Sequence, residues 1–211
     1  MRRSANSKNL DYKLQKEYNC TRLLLLHLIT LYSTANAFKE NYFDTYKKIF
    51  EACSDKNYLS LIVVNFSFSM ELYLKWIYAY DYWDANEKCK SKSLWNNDTQ
   101  FYKWHNLENL FNCLPSKYKV AVEELLLANG VSLQDFMDFI SCHKDDFVEW
   151  RYLFEKESSL ETNAKLMTIS LSLVSGYVDK LRFYYCPKPE WVETTPQHGM
   201  EIPIEDINKK K

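Results

Sequence analysis

Punctuation is what this chain lacks. Its first 186 residues hold one proline, Pro115, and two glycines, Gly130 and Gly176, while the other four prolines and the third glycine lie at or beyond Pro187. Sandwiches and barrels need frequent turns, and nucleotide folds need glycine where backbone approaches phosphate. A chain of 211 residues so sparsely broken is expected to be all-α, an up-and-down bundle of long helices. Its 16 Tyr, 12 Phe and 6 Trp supply large side chains to fill the space between helices.

Apolar periodicity sets out the elements. Ala35, Phe38, Tyr42, Tyr46, Ile49 and Cys53 recur at three and four, predicting a helix from about Thr34 that breaks at Ser54-Asp55-Lys56-Asn57. Leu59, Val63, Phe66, Met70, Tyr73 and Ile77 form a second seam, widened by Ile62, Leu72 and Trp76, on a central helix from about Tyr58 to Tyr80. Asp81 to Lys103 reads as a long polar insertion. Short helices follow over His105–Phe111, from Pro115-Ser116 to Leu127, and from Leu133 to about Cys142. Asn129-Gly130 is the stop of the second of these, and Ser132 the N-cap of the third. The last helix is expected from about Leu160 to Tyr185, with Leu160, Ala164, Met167, Leu171, Val174, Val178, Leu181 and Tyr185 as a heptad seam. That seam is core in the plainer reading and a homodimer contact in the sharper one. Pro187 and Pro189 then stop the helix. The organisation is therefore an N-terminal extension over 1–32, partly disordered or a docked helix, a bundle of about five to seven helices over 33–186, and a flexible tail over 187–211.

Composition narrows the chemistry. A net charge of −1 gives no global field for nucleic acid, so such binding would need a local patch. The six cysteines form no C-x-x-C pair and only four histidines occur, so no metal site is expected and the chain reads as reduced and cytoplasmic. Leu23 to Tyr32 is apolar but too short to span a bilayer, so no membrane association is expected. There is no P-loop, G-x-G-x-x-G, H-E-x-x-H or G-x-S-x-G, and no cofactor is implied.

The residues most suggestive of a site lie in Phe147-Val-Glu-Trp-Arg-Tyr-Leu-Phe-Glu155. Arg151 sits between Trp150 and Tyr152, and a guanidinium stacked on aromatics offers a rigid donor fork to carboxylate or phosphate. It either holds an RNA phosphate or pairs with Glu71, Glu149 or Glu155. Glu71 either supports Arg151 or forms a solvated pair with Lys75 one helical turn on. His143 either joins Arg151 as a rearranged catalytic pair or is a histidine placed at a helix C-terminus by the macrodipole. His105 either faces RNA or braces a short helix. Lys75, Lys88, Lys90, Lys92 and Lys103 could form a basic rim, and Tyr78, Tyr80, Tyr82, Trp83, Trp95, Tyr102 and Trp104 could stack on unpaired bases. A solvated loop packed on the bundle accounts for both sets equally well.

Three segments in this order, Ser67-Phe-Ser-Met-Glu-Leu-Tyr-Leu-Lys75, His105-Asn-Leu-Glu-Asn-Leu-Phe111 and Phe147 to Glu155, resemble the HEPN superfamily (higher eukaryote and prokaryote nucleotide-binding domains) over about residues 33–186. The resemblance implies a helical bundle that often dimerises. It also implies a role in RNA cleavage or RNA binding, within toxin–antitoxin or phage-defence systems that supply a cognate antitoxin or defence partner. Active ribonucleases of the family carry Arg, four to six residues, then His near the start of the final helix. The histidine serves acid/base or charge-stabilising roles and the arginine holds phosphate. Here Arg151 is followed by Tyr-Leu-Phe-Glu-Lys-Glu, and no histidine occurs before His198. The literal match Arg22-Leu-Leu-Leu-Leu-His27 precedes the expected bundle and is set aside as chance spacing. The expectation is an RNA-related binding protein without efficient ribonuclease activity. The alternatives are a metal-independent endoribonuclease that uses Arg151 with a non-standard histidine, and a protein-interaction bundle.

Overall fold

The computed structural model describes residues 5–52, 57–85, 105–143 and 163–185, with side chains over 25–49, 61–81, 105–143 and 163–183. These residues form six helices and no strand: α1 (Ala5–Ala52), α2 (Asn57–Ala85), α3 (Leu107–Asn112), α4 (Ser116–Ala128), α5 (Leu133–Cys142) and α6 (Ala164–Tyr185). The all-α bundle is as the scarcity of glycine and proline predicts. Met1–Val178 makes one compact unit, and Asp179–Lys211 is a second whose described part is the end of α6.

α1 and α2 form an antiparallel hairpin on which the rest of the first unit is built. The Ser69 hydroxyl donates to the Ala35 carbonyl at 2.8 Å, and the Tyr73 hydroxyl donates to Asn36 Oδ1 at 2.6 Å. Ala35 is fully buried, and its small side chain lets the two backbones approach closely enough for the first bond. α1 departs from expectation at its start. It runs unbroken through residue 34 because its apolar stripe begins earlier: Leu28 and Leu31 continue the line of Ala35 and Tyr42, and both are buried. α2 likewise continues past Tyr80 to Ala85, taking in the first residues of the expected insertion.

Phe66 on α2 is the centre of the core. Its ring lies 6.3 Å from Tyr42 on α1, 5.4 Å from Phe139 on α5 and 6.2 Å from His143 just beyond α5. Phe111 and Phe136 meet edge-on at 5.2 Å and join α3 to α5. Lys117 pairs with Asp81 at 2.7 Å and ties α4 to α2.

Local signals set the ends of the short helices. Ser132 accepts from the Asp135 amide at 3.0 Å and caps α5 as expected. Gly130, at φ 75°, ends the turn after α4, where the left-handed region disfavours any residue with a Cβ. The last helix was expected from Leu160; residues 160–162 lie outside the described residues, and α6 begins at Ala164 after Asn163. The Asn163 side chain accepts from the Leu166 amide at 3.1 Å, an N-cap arrangement.

The middle of the heptad seam of α6 is core. Met167, Leu171, Val174 and Val178 have no exposed surface within the single chain. α6 is tied to α1 through Tyr42, whose hydroxyl lies 2.9 Å from Thr168 Oγ1. Over Met167 to Val178 the plainer reading of this seam as core therefore holds, since side chains buried within one chain cannot also face a second copy.

Candidate functional site

Two charged residues are buried side by side in α2. Lys75 Nζ donates to Glu71 Oε1 at 2.6 Å, and the two side chains are only 6% and 5% exposed. The sequence places them one turn apart, the spacing at which helical side chains meet. The expected solvated pair is therefore a pair, but a buried one. Taking both charges out of water is costly and is offset only where their remaining hydrogen-bonding capacity is met.

His105 meets part of that need. Its Nδ1 lies 3.1 Å from Glu71 Oε1 and 3.2 Å from Oε2. The residue stands two positions before α3 and is placed by that helix's start. Asn106 adopts an extended conformation and its side chain accepts from the Asn109 amide, while Leu107, Leu110 and Phe111 bury the helix. The helix is thus capped by Asn106, and His105 is turned towards α2. Its side chain remains 35% exposed, so the imidazole bridges the buried ion pair and the surface.

His27 on α1 is within electrostatic reach of Lys75. Burial lowers its pKa from the ordinary 6.5, and the positive charge of Lys75 lowers it further. A neutral imidazole is favoured there. The signal that could have found this residue is its place beside Leu28 on a helix packed against α2, visible only once α1 is known to extend past Thr34.

Other expectations are redistributed. Lys75 is not part of a solvent-facing basic rim, because it is buried against Glu71. Tyr80 does not offer a face to a base: it is 2% exposed and stacks on Trp76 in the core, with ring centroids 5.1 Å apart. His143 stands as the C-cap of α5 and is buried with its ring edge-on to Phe139 at 4.7 Å. It borders an open cleft of about 490 Å³ lined also by Asp135, Asp138, Asn163 and Lys165, which shares no described residue with the Glu71 cluster. Arg151, Trp150, Tyr152, Glu149 and Glu155 lie outside the described residues, as do Lys88, Lys90, Lys92, Lys103, Trp95, Tyr102 and Trp104.

Among the described residues no group of three or more His, Cys, Asp or Glu side chains is arranged to hold a metal ion. No described helix is long and apolar enough to cross a membrane. What the Glu71–Lys75–His105 cluster can do follows from its geometry. A carboxylate against Nδ1 fixes the tautomer and orientation of an imidazole. No family model, no curated protein and no solved structure matches this chain.

Proposed function

We propose that this chain is a HEPN-like, RNA-directed binding protein in which His105 faces the ribose-phosphate backbone and the buried Glu71–Lys75 pair holds it in place. The observation that carries this reading is the partly exposed imidazole of His105 resting on both oxygens of a buried glutamate. A cluster this costly to bury is more than a helix staple: an apolar pair would pack the same space at no electrostatic cost. Arg151, two aromatics beside it and the cognate partner of a toxin–antitoxin or phage-defence system complete the role that the sequence resemblance implies.

The second reading, a metal-independent ribonuclease, draws on the same geometry, with His105 in place of His143 as the proton-transferring group. A carboxylate-held imidazole can accept the 2′-hydroxyl proton. Binding is preferred because Lys75, the cation nearest the imidazole's carboxylate, is engaged with Glu71 and buried.

Fluorescence anisotropy with tRNA and an unstructured oligoribonucleotide tests the proposal. His105→Ala is expected to weaken binding about tenfold, which corresponds to about 1.4 kcal/mol. Binding that is absent, or unchanged by the substitution, rejects it. Cleavage of tRNA that disappears in His105→Ala would move the assignment to the ribonuclease.

A further inference from the structure

The cleft that His143 borders is polarised by the helices that frame it. One wall is α5 with the turn after α4. Asp135 and Asp138 stand on it, and the C-terminal ends of both helices open into it, at Gly130 and at Cys142. The other wall is the start of α6, with Asn163 and Lys165. Helix C-termini carry partial negative charge and N-termini partial positive charge, so the backbone of each wall has the sign of its charged side chains. Val131, Phe139, Leu166 and Ile169 give the cleft an apolar lining, and its volume of about 490 Å³ suits a small organic molecule.

The charges of the two walls do not neutralise each other. Asp135 accepts from the Ser132 hydroxyl through Oδ2, and Asp138 Oδ1 accepts from Gln134 at 2.8 Å. These bonds fix both carboxylates along α5 and leave one oxygen of each without a hydrogen bond among the described residues. Lys165 makes no ion pair among the described residues. Two oriented carboxylates and an ammonium therefore edge one apolar cleft and stay apart. A ligand that carries both signs of charge would complete all three.

We infer that this cleft binds a small zwitterion with an apolar body, the chemistry of a di- or tripeptide with free ends. Its ammonium meets Asp135 and Asp138, its carboxylate meets Lys165 at the start of α6, and its side chains lie on Phe139, Leu166 and Ile169. The charges of the cleft stand on different walls, and a short peptide separates its own two charges, whereas those of one amino acid share a carbon. A nucleotide would bring phosphate against two carboxylates, and a purely cationic ligand would be repelled by Lys165. The cleft shares no described residue with the Glu71 cluster, so its ligand is independent of RNA binding at His105.

Calorimetric titration of the full chain with the dipeptide leucyl-phenylalanine tests this, with amide NMR shifts locating the site. The dipeptide is expected to bind and to shift the amides of Gly130, Asp138 and Lys165. Acetylating its amine, or converting its carboxylate to the amide, should each weaken binding about tenfold, as should Asp138→Asn and Lys165→Gln. Both residues are exposed, so neither substitution disturbs the core. Lys165→Gln should cost the amidated dipeptide nothing further, because the carboxylate that Lys165 serves is already gone. Leucine that binds as tightly as the dipeptide keeps the zwitterion site and assigns it to a free amino acid. Absence of saturable binding, shifts confined to other parts of the chain, or equal binding of the free and acetylated dipeptides overturns the inference.

Discussion

Glu71 reaches His105 with both carboxylate oxygens, 3.1 and 3.2 Å from Nδ1, while one of those oxygens also holds Lys75 at 2.6 Å. A buried helix, a second position on the same helix and the segment before α3 therefore meet at a single carboxylate. The relationship makes Glu71 the residue whose loss the cluster can least tolerate, and it separates two effects that a single substitution would confuse: loss of the ion pair and loss of imidazole orientation.

Removing one member of the buried pair should cost far more than removing both. Glu71→Leu leaves the Lys75 ammonium buried without its carboxylate and is expected to destabilise the fold by about 3–5 kcal/mol. Glu71→Leu with Lys75→Met restores an apolar interior and should lie well below the sum of the two single losses. Urea unfolding of the four proteins measures this. A strictly additive pair would show that the two charges do not depend on each other.

His27 should limit stability in acid. Its folded pKa lies below the ordinary 6.5, so the folded state disfavours its protonation. The associated stability is present above pH 6.5 and is lost as pH falls through the folded value. Imidazole NMR titration should place His27 below 6.5. Lys75→Met should move it upward, since the Lys75 charge is the second cause of the shift, after burial. A His27 value unmoved by that substitution would show that the Lys75 charge does not act on it.

Tyr42 should contribute to alkaline unfolding. Burial pushes its hydroxyl from the ordinary 10.0 to about 12, outweighing the opposing Thr168 hydrogen bond. A phenol with a raised folded pKa contributes stability that is complete below pH 10 and is lost as pH climbs towards 12. The loss is on the order of 3 kcal/mol. Tyr42→Phe should be less stable by about 1 kcal/mol at pH 7, through the missing bond to Thr168, yet less sensitive between pH 10 and about 12. Parallel pH profiles for the two proteins would refute the assignment.

Gly130 offers a test of backbone conformation alone. Its φ is 75°, and a Cβ built there meets nothing within 4 Å. Gly130→Ala should thus cost about 1–2 kcal/mol through the left-handed conformation and not through a clash. Gly176 also has open space around a built Cβ, and its φ is not in the left-handed range. Gly176→Ala, inside α6, should stabilise by about 0.5–1 kcal/mol. Thermal melts of the two variants should move in opposite directions.

What the sequence determined by itself is the class of fold and most of its elements. With almost no glycine or proline to break them, apolar stripes at three and four could only be helices, and local chemistry placed their ends: Ser132 caps α5, and Asn129-Gly130 stops α4. The pairing of Glu71 with Lys75 was also legible, because one helical turn brings them together in any fold. Only the tertiary structure decided that this pair is buried, that His105 turns towards it and not into its own helix, and that the middle of the α6 seam faces inward. Periodicity records which face of a helix is apolar, but what covers that face depends on contacts between residues far apart in the chain. Lys75 and Tyr80 have the side chains of a nucleic-acid surface, and the packing of α1 and α3 against α2 put both in the interior.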